Sequence, residues 1–173
     1  MMRTIRLARI ILAAVAAILM GLEAVPAEPS ETLARSGTAP VELGAAPVAV
    51  QLVTPAAGET LSARAAAAGR RIYLVFKGLA TDEPPDTVYQ IYFGLPPGTA
   101  PAPDGQYYVG SLNFFNAAKR GSAAPDPRFF SFDVTSRLRA LQADQRAIVT
   151  LVPASSPRSG ARAAVGEIAI VEQ

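Results

Sequence analysis

The chain has 173 residues, with 16 Lys+Arg against 14 Asp+Glu, no histidine and no cysteine. It therefore offers no imidazole or thiolate for a copper or zinc site, no histidine-based triad and no disulfide staple. Its three methionines, Met1, Met2 and Met20, all fall in the first segment, so thioether ligation is excluded from the rest.

The N-terminus begins "MMRTIRLAR", with Arg3, Arg6 and Arg9, and continues as an apolar run from Ile10 to Leu22. "AVPA" then places Val25 and Ala27 at the small-residue positions of a cleavage site. Basic start, short apolar core and small-residue exit read as a secretory signal peptide over residues 1–27. The apolar run is shorter than the roughly 20 residues of a spanning helix, which disfavours the alternative of an uncleaved anchor. With no cysteine there is no lipid attachment point. Removing the leader takes away three arginines and Glu23, leaving 13 basic and 13 acidic residues. A balanced, exported chain, periplasmic or extracellular, is expected, without an electrostatic case for nucleic acid or membrane.

Residues 28–47, "EPSETLARSGTAPVELGAAP", contain no aromatic and read as a flexible linker, or as an extended arm docked along the domain. The domain is expected over residues 48–173. "VAVQLV" alternates as a first strand, and the alanine-rich stretch after it lacks an apolar stripe, so it predicts a loop with one helical turn. "RRIYLVFKG" predicts a strand with Ile72, Leu74 and Phe76 on one face. "TVYQIYFGL" predicts the next, after the strand-breaking Pro84 and Pro85. A Pro/Gly loop ending in Asp104-Gly105 leads to "QYYVGSLNFFN", where Gly110 marks a bulge or a close backbone approach. "RFFSFDV" alternates Phe130, Phe132 and Val134 against Ser131 and Asp133. "TSRLRALQADQ" predicts a short helix capped by Thr135 or Ser136, with Leu138 and Leu141 on one face. "AIVTLVP" and "VGEIAIVE" complete the series. About seven strands, turn-rich connections and one helix predict an all-β, jelly-roll-like antiparallel β-sandwich.

All twelve aromatic residues lie between Tyr73 and Phe132. A sandwich strand normally has one wet face. Yet in "VYQIYFGLPPG" the set Tyr89, Ile91 and Phe93 and the set Val88 and Tyr92 occupy opposite faces. Tyr107 and Tyr108, being adjacent, also diverge, as do Phe114 and Phe115. Some of these rings are therefore expected outside the core, against a loop, the linker or another protein.

The ordered series "IYLVFKGL", "TVYQIYFGLPPG", "YYVGSLNFFN", "FDVTSRLRAL", "AIVTLVP" and "VGEIAIVEQ" resembles the C-terminal domain of tyrosinases and polyphenol oxidases, over about residues 48–173. In that family the small sandwich follows a copper-binding helical domain and packs over its entrance. A Lys-Phe-Asp-Val motif of the plant members is not carried over, because "FDV" here, Phe132–Val134, lies late in the chain. The resemblance implies a non-catalytic shielding subunit for a separately encoded tyrosinase-like copper oxidase. It would hold no cofactor or metal, and an aromatic in 107–115 would enter the partner's pocket. The candidate partner-binding residues are Tyr92, Leu95, Pro96, Tyr107, Tyr108, Phe114 and Phe115. The alternative is a secreted binding module for carbohydrate or protein, with Tyr92, Tyr107 or Tyr108 as stacking platforms. A third possibility is a carboxylate enzyme or weak Ca²⁺ site built from Asp82, Glu83 and Asp86, with Asp104 and Asp126 in other loops; their Pro and Gly neighbours favour turns.

Overall fold

The computed structural model describes residues 30–54, 60–67, 69–122, 128–141 and 146–173. The leader lies outside these residues, and among them no helix is long and apolar enough to cross a membrane. Ten strands and two short helices are described: β1 (Glu31–Arg35), β2 (Val41–Leu43), β3 (Val48–Gln51), α1 (Leu61–Ala67), β4 (Ile72–Thr81), β5 (Tyr89–Phe93), β6 (Tyr108–Leu112), β7 (Ala118–Lys119), β8 (Phe129–Asp133), α2 (Thr135–Arg139), β9 (Ile148–Pro153) and β10 (Ala163–Glu172). They form an all-β sandwich.

The first sheet runs β1-β10-β4-β7, with β2 also pairing β10 and β8 also pairing β4; the second runs β3-β9-β5-β6. All pairings are antiparallel except the short β4–β7 contact. One apolar core fills the space between the sheets. It holds Ile72, Leu74 and Phe76 from β4, Tyr89, Ile91 and Phe93 from β5, Val149 and Leu151 from β9, and Ile168 and Ile170 from β10. A smaller cluster of Val75, Ala169 and Val171, with Tyr73 against it, lies apart from this core.

The segment read as a linker is part of the sheet. β1 pairs with β10 from Glu31↔Glu172 to Arg35↔Ala169, and β2 pairs with β10 at Ala163↔Leu43. Leu33, Ala34 and Leu43 are buried in the core. The buried Ser36 fixes the end of β1: its N–H donates to the Ile168 carbonyl at 2.7 Å, and its Oγ accepts the Ile168 N–H at 3.1 Å. The domain therefore begins by Glu31 and not at Val48. β10 supplies a ready ladder, so the arm needs only a few buried side chains of its own to dock.

The central strands β4 and β10 pair along their length and bend together. Gly78, at φ +64, faces Gly166, and a Cβ on Gly78 would stand 3.4 Å from the Gly166 Cα. Before the bend Ile72, Leu74 and Phe76 face the core; after it Leu79 does, so the facing parity shifts. β10 shifts in the same place, from Ile168 and Ile170 to Val165 and Ala163, and the pairing continues from Glu167↔Lys77 to Val165↔Leu79. The left-handed φ of Gly78 and the close approach of the two backbones both favour residues without a Cβ at this point.

The two sheets also meet along the β6–β8 side. Ile91 pairs with Gly110 and Tyr92 with Tyr108, so β6 carries a bulge beside Gly110. The Phe132 ring presses on that glycine: an added Cβ would lie 2.4 Å from Phe132 Cε1. Both readings of Gly110 from the sequence therefore hold. α2 covers this side, with Leu138 buried. Neither Thr135 nor Ser136 caps it by a side chain, and the N-cap position is Val134. The Thr135 hydroxyl instead accepts the Ile72 N–H at 2.8 Å, while Asp133 Oδ1 accepts the Thr135 N–H at 2.9 Å. The hydroxyl serves a neighbouring strand because the β8–α2 corner lies against the start of β4.

Candidate docking surface

The two-faced strand is β5. Tyr89, Ile91 and Phe93 enter the core, as the alternation requires. Tyr92 projects to the outer side of the second sheet, yet it is fully enclosed. The Tyr108 ring stands edge-on to it at 5.7 Å and 63°. Its hydroxyl donates to Gln90 Oε1 at 2.8 Å. Burial raises the pKa of the Tyr92 phenol, and the nearby Tyr108 and Asp104 add to the shift. The chain's own loop 94–107, which carries Asp104, thus covers the outer side of β5. Tyr92 presents no surface to a partner, contrary to the expectation from the sequence.

Phe114 is likewise enclosed, packed edge-on against Tyr89 at 5.8 Å and 78°. Tyr107 and Tyr108 are half-buried. Leu95 is half-buried and Pro96 exposed. With Pro47, Ala49, Ile148 and Val152 these two line a shallow cleft of about 300 Å³ on the outer side of the second sheet.

Phe115 is the candidate that stands free, with 78% of its surface exposed. It is joined by Phe129, 61% exposed, at the start of β8. Both line a groove of about 310 Å³ with Leu79, Ala117 and Phe130 beneath them. Local hydrogen bonds hold the Phe115 backbone: its N–H donates to Asn113 Oδ1 at 3.2 Å, and its carbonyl accepts Arg128 Nη1 at 3.1 Å. Asn116 follows at φ 56, turning the chain so that Phe115 sits at the tip. Lys77 lies opposite Phe129 across the β4–β8 ladder. The result is an apolar groove with Arg128 and Lys77 beside it. Phe129 was legible by the same argument as Phe115: adjacent aromatics in a strand face opposite ways. The Leu95–Pro96 cleft and the Phe115 groove share no lining residue, so the candidates divide between two places.

The acidic loop is occupied by arginines. Arg162 Nε donates to Asp82 at 2.5 Å, and Arg158 Nε donates to Asp86 at 2.8 Å. Arg120 grips Glu42 with two bonds of 2.6 and 2.7 Å, which holds the Glu42 carboxyl below its ordinary value. Among the described residues no three acidic side chains converge as a cation site. Asp82 and Asp86 therefore fasten the β4–β5 loop to the β9–β10 loop. Asp126 lies outside the described residues.

The two antiparallel-paired sheets define the class: a small all-β sandwich module. Its fold is that of part of the plant polyphenol oxidases. The chain matches latent apple tyrosinase with a TM-score of 0.51 and 20% identity, over 78% of this chain and 27% of that one. It also matches recombinantly expressed latent aurone synthase, a polyphenol oxidase, with a TM-score of 0.47 and 18% identity, over 77% of this chain and 25% of that one. The chain thus spans about a quarter of the length of these oxidases, consistent with a C-terminal-domain-like portion. No protein-family model and no curated protein matches the sequence.

Proposed function

We propose that this chain is an exported, non-catalytic accessory that packs against a separately encoded tyrosinase-like copper oxidase and shields its active-site entrance. The observation that carries this reading is the shared fold with a portion of latent apple tyrosinase, in a chain that has no histidine of its own. A histidine-free chain supplies none of the imidazoles a copper oxidase needs, so its contribution is a surface.

The Phe115–Phe129 groove is that surface. Large exposed rings at the rim of an apolar groove favour a partner that offers an apolar knob. The carbohydrate reading is weaker, since of its three platforms Tyr92 is enclosed and Tyr107 and Tyr108 are half-buried.

The test uses an exported tyrosinase-like oxidase from the same organism, purified with its copper. Adding this chain should lower turnover of a bulky diphenol more than that of a small one, because access is what it limits. Equal turnover with and without a saturating excess of the chain contradicts the proposal.

A further inference from the structure

Arg64 and Arg120, whose side chains are only 15% and 26% exposed, each hold a carboxylate, Glu31 and Glu42. Arg137 of α2 does not. It is half-buried, and its Nε donates to the Gln106 carbonyl at 3.3 Å and its Nη2 to the Tyr108 carbonyl at 2.7 Å. Among the described residues no carboxylate reaches it within ion-pair distance. Neutral carbonyls satisfy two of its nitrogens; the Asp133 carboxyl is near enough for its pKa to be lowered by this charge but does not pair with it, and Nη1 has no partner among the described residues.

A cavity of about 360 Å³ opens beside this guanidinium, between α2 and the loop that joins β5 to β6. Phe93, Tyr107 and Leu141 line it with apolar surface, and Gln106 and Ser136 with polar groups. The two carbonyl bonds fix the arginine along β6, so its orientation is set before any ligand arrives. One cation suits a monoanion; a phosphate dianion would need more donors than this lining offers. The apolar lining suits a flat ring.

We infer that this cavity binds a small aromatic carboxylate, with the carboxylate on Arg137 Nη1 and the ring against Phe93, Tyr107 and Leu141. The site is separate from the Phe115–Phe129 groove, and its test needs no oxidase.

The probe is benzoate, titrated into the isolated chain and followed by NMR shifts of the tyrosine and phenylalanine rings. Saturable binding with Kd of about 1 mM is expected, the range of a single charge-assisted contact with a small ring. Benzamide, the neutral isostere, should bind at least about tenfold more weakly, and so should benzoate to Arg137→Gln. Arg137→Gln also removes the carbonyl bonds, so Leu141→Trp serves as a second variant that fills the cavity and leaves those bonds in place. It too should abolish saturation while the chain still unfolds cooperatively. Linear, non-saturating shifts with benzoate, or equal affinity for benzamide, or undiminished binding by folded Leu141→Trp, would overturn the inference.

Discussion

Gly110→Ala tests how the two sheets close on each other. The substitution places a methyl group 2.4 Å from Phe132 Cε1 and 2.7 Å from Cδ1. Carbon atoms in contact sit roughly 3.5–4.0 Å apart, so the ring or strand β6 must move by about 1 Å or more. The ring cannot retreat freely, because it stands edge-on against the wholly buried Phe76 at 6.0 Å and 84°. Overpacking of this kind costs about 1–3 kcal/mol. In open space the same change would stabilise by about 0.4–1 kcal/mol through the unfolded chain, so even the sign of the effect is informative. Urea unfolding followed by tyrosine fluorescence should show the loss as a lower midpoint at unchanged slope. In a Phe132→Leu background the Gly110→Ala cost should fall below about 0.5 kcal/mol, because the two sites interact directly. A stabilised Gly110→Ala, or one whose cost is the same in both backgrounds, would refute the described closure.

Gly78→Ala should destabilise by about 1–2 kcal/mol, since its left-handed backbone disfavours a side chain; a melting temperature equal to the parent's would contradict the paired bend. Deleting residues 30–43 should abolish cooperative thermal unfolding, because β10 loses both outer partners; an unchanged melt would restore the linker reading. The carboxyls of Glu42, bonded to Arg120, and Asp133, bonded to Thr135, lie below their ordinary values in the folded state. Their stabilisation is therefore present above about pH 4.5 and is lost as pH falls through the folded values. Glu42→Gln and Asp133→Asn should each flatten the decline of melting temperature between about pH 5 and pH 3. Phe115→Ser and Phe129→Ser should change stability by less than about 0.5 kcal/mol, because both rings already face water.

The strands that carry the core were legible because their alternation is strong. Ile72, Leu74 and Phe76 and the β9 and β10 segments occupy the positions their periodicity implies. β1 and β2 were hidden by composition: Ala, Pro and Glu resemble a linker, and what orders them is the edge of β10, more than a hundred residues away in sequence. β7 has two residues and no periodicity to read. The aromatic surplus was half right. Adjacent rings do diverge, but loop 94–107 returns over β5 and encloses Tyr92, and no local pattern reveals where a loop will lie. Phe115 and Phe129 remain outside, one anticipated and one not.

The direct measurement of the central claim is calorimetric titration of this chain into the copper-loaded oxidase. The account predicts a 1:1 complex, with affinity reduced at least about tenfold by Phe115→Ser combined with Phe129→Ser, the size expected when aromatic anchors are removed from an interface. No heat of association with the oxidase, or a complex indifferent to that double substitution, would contradict it.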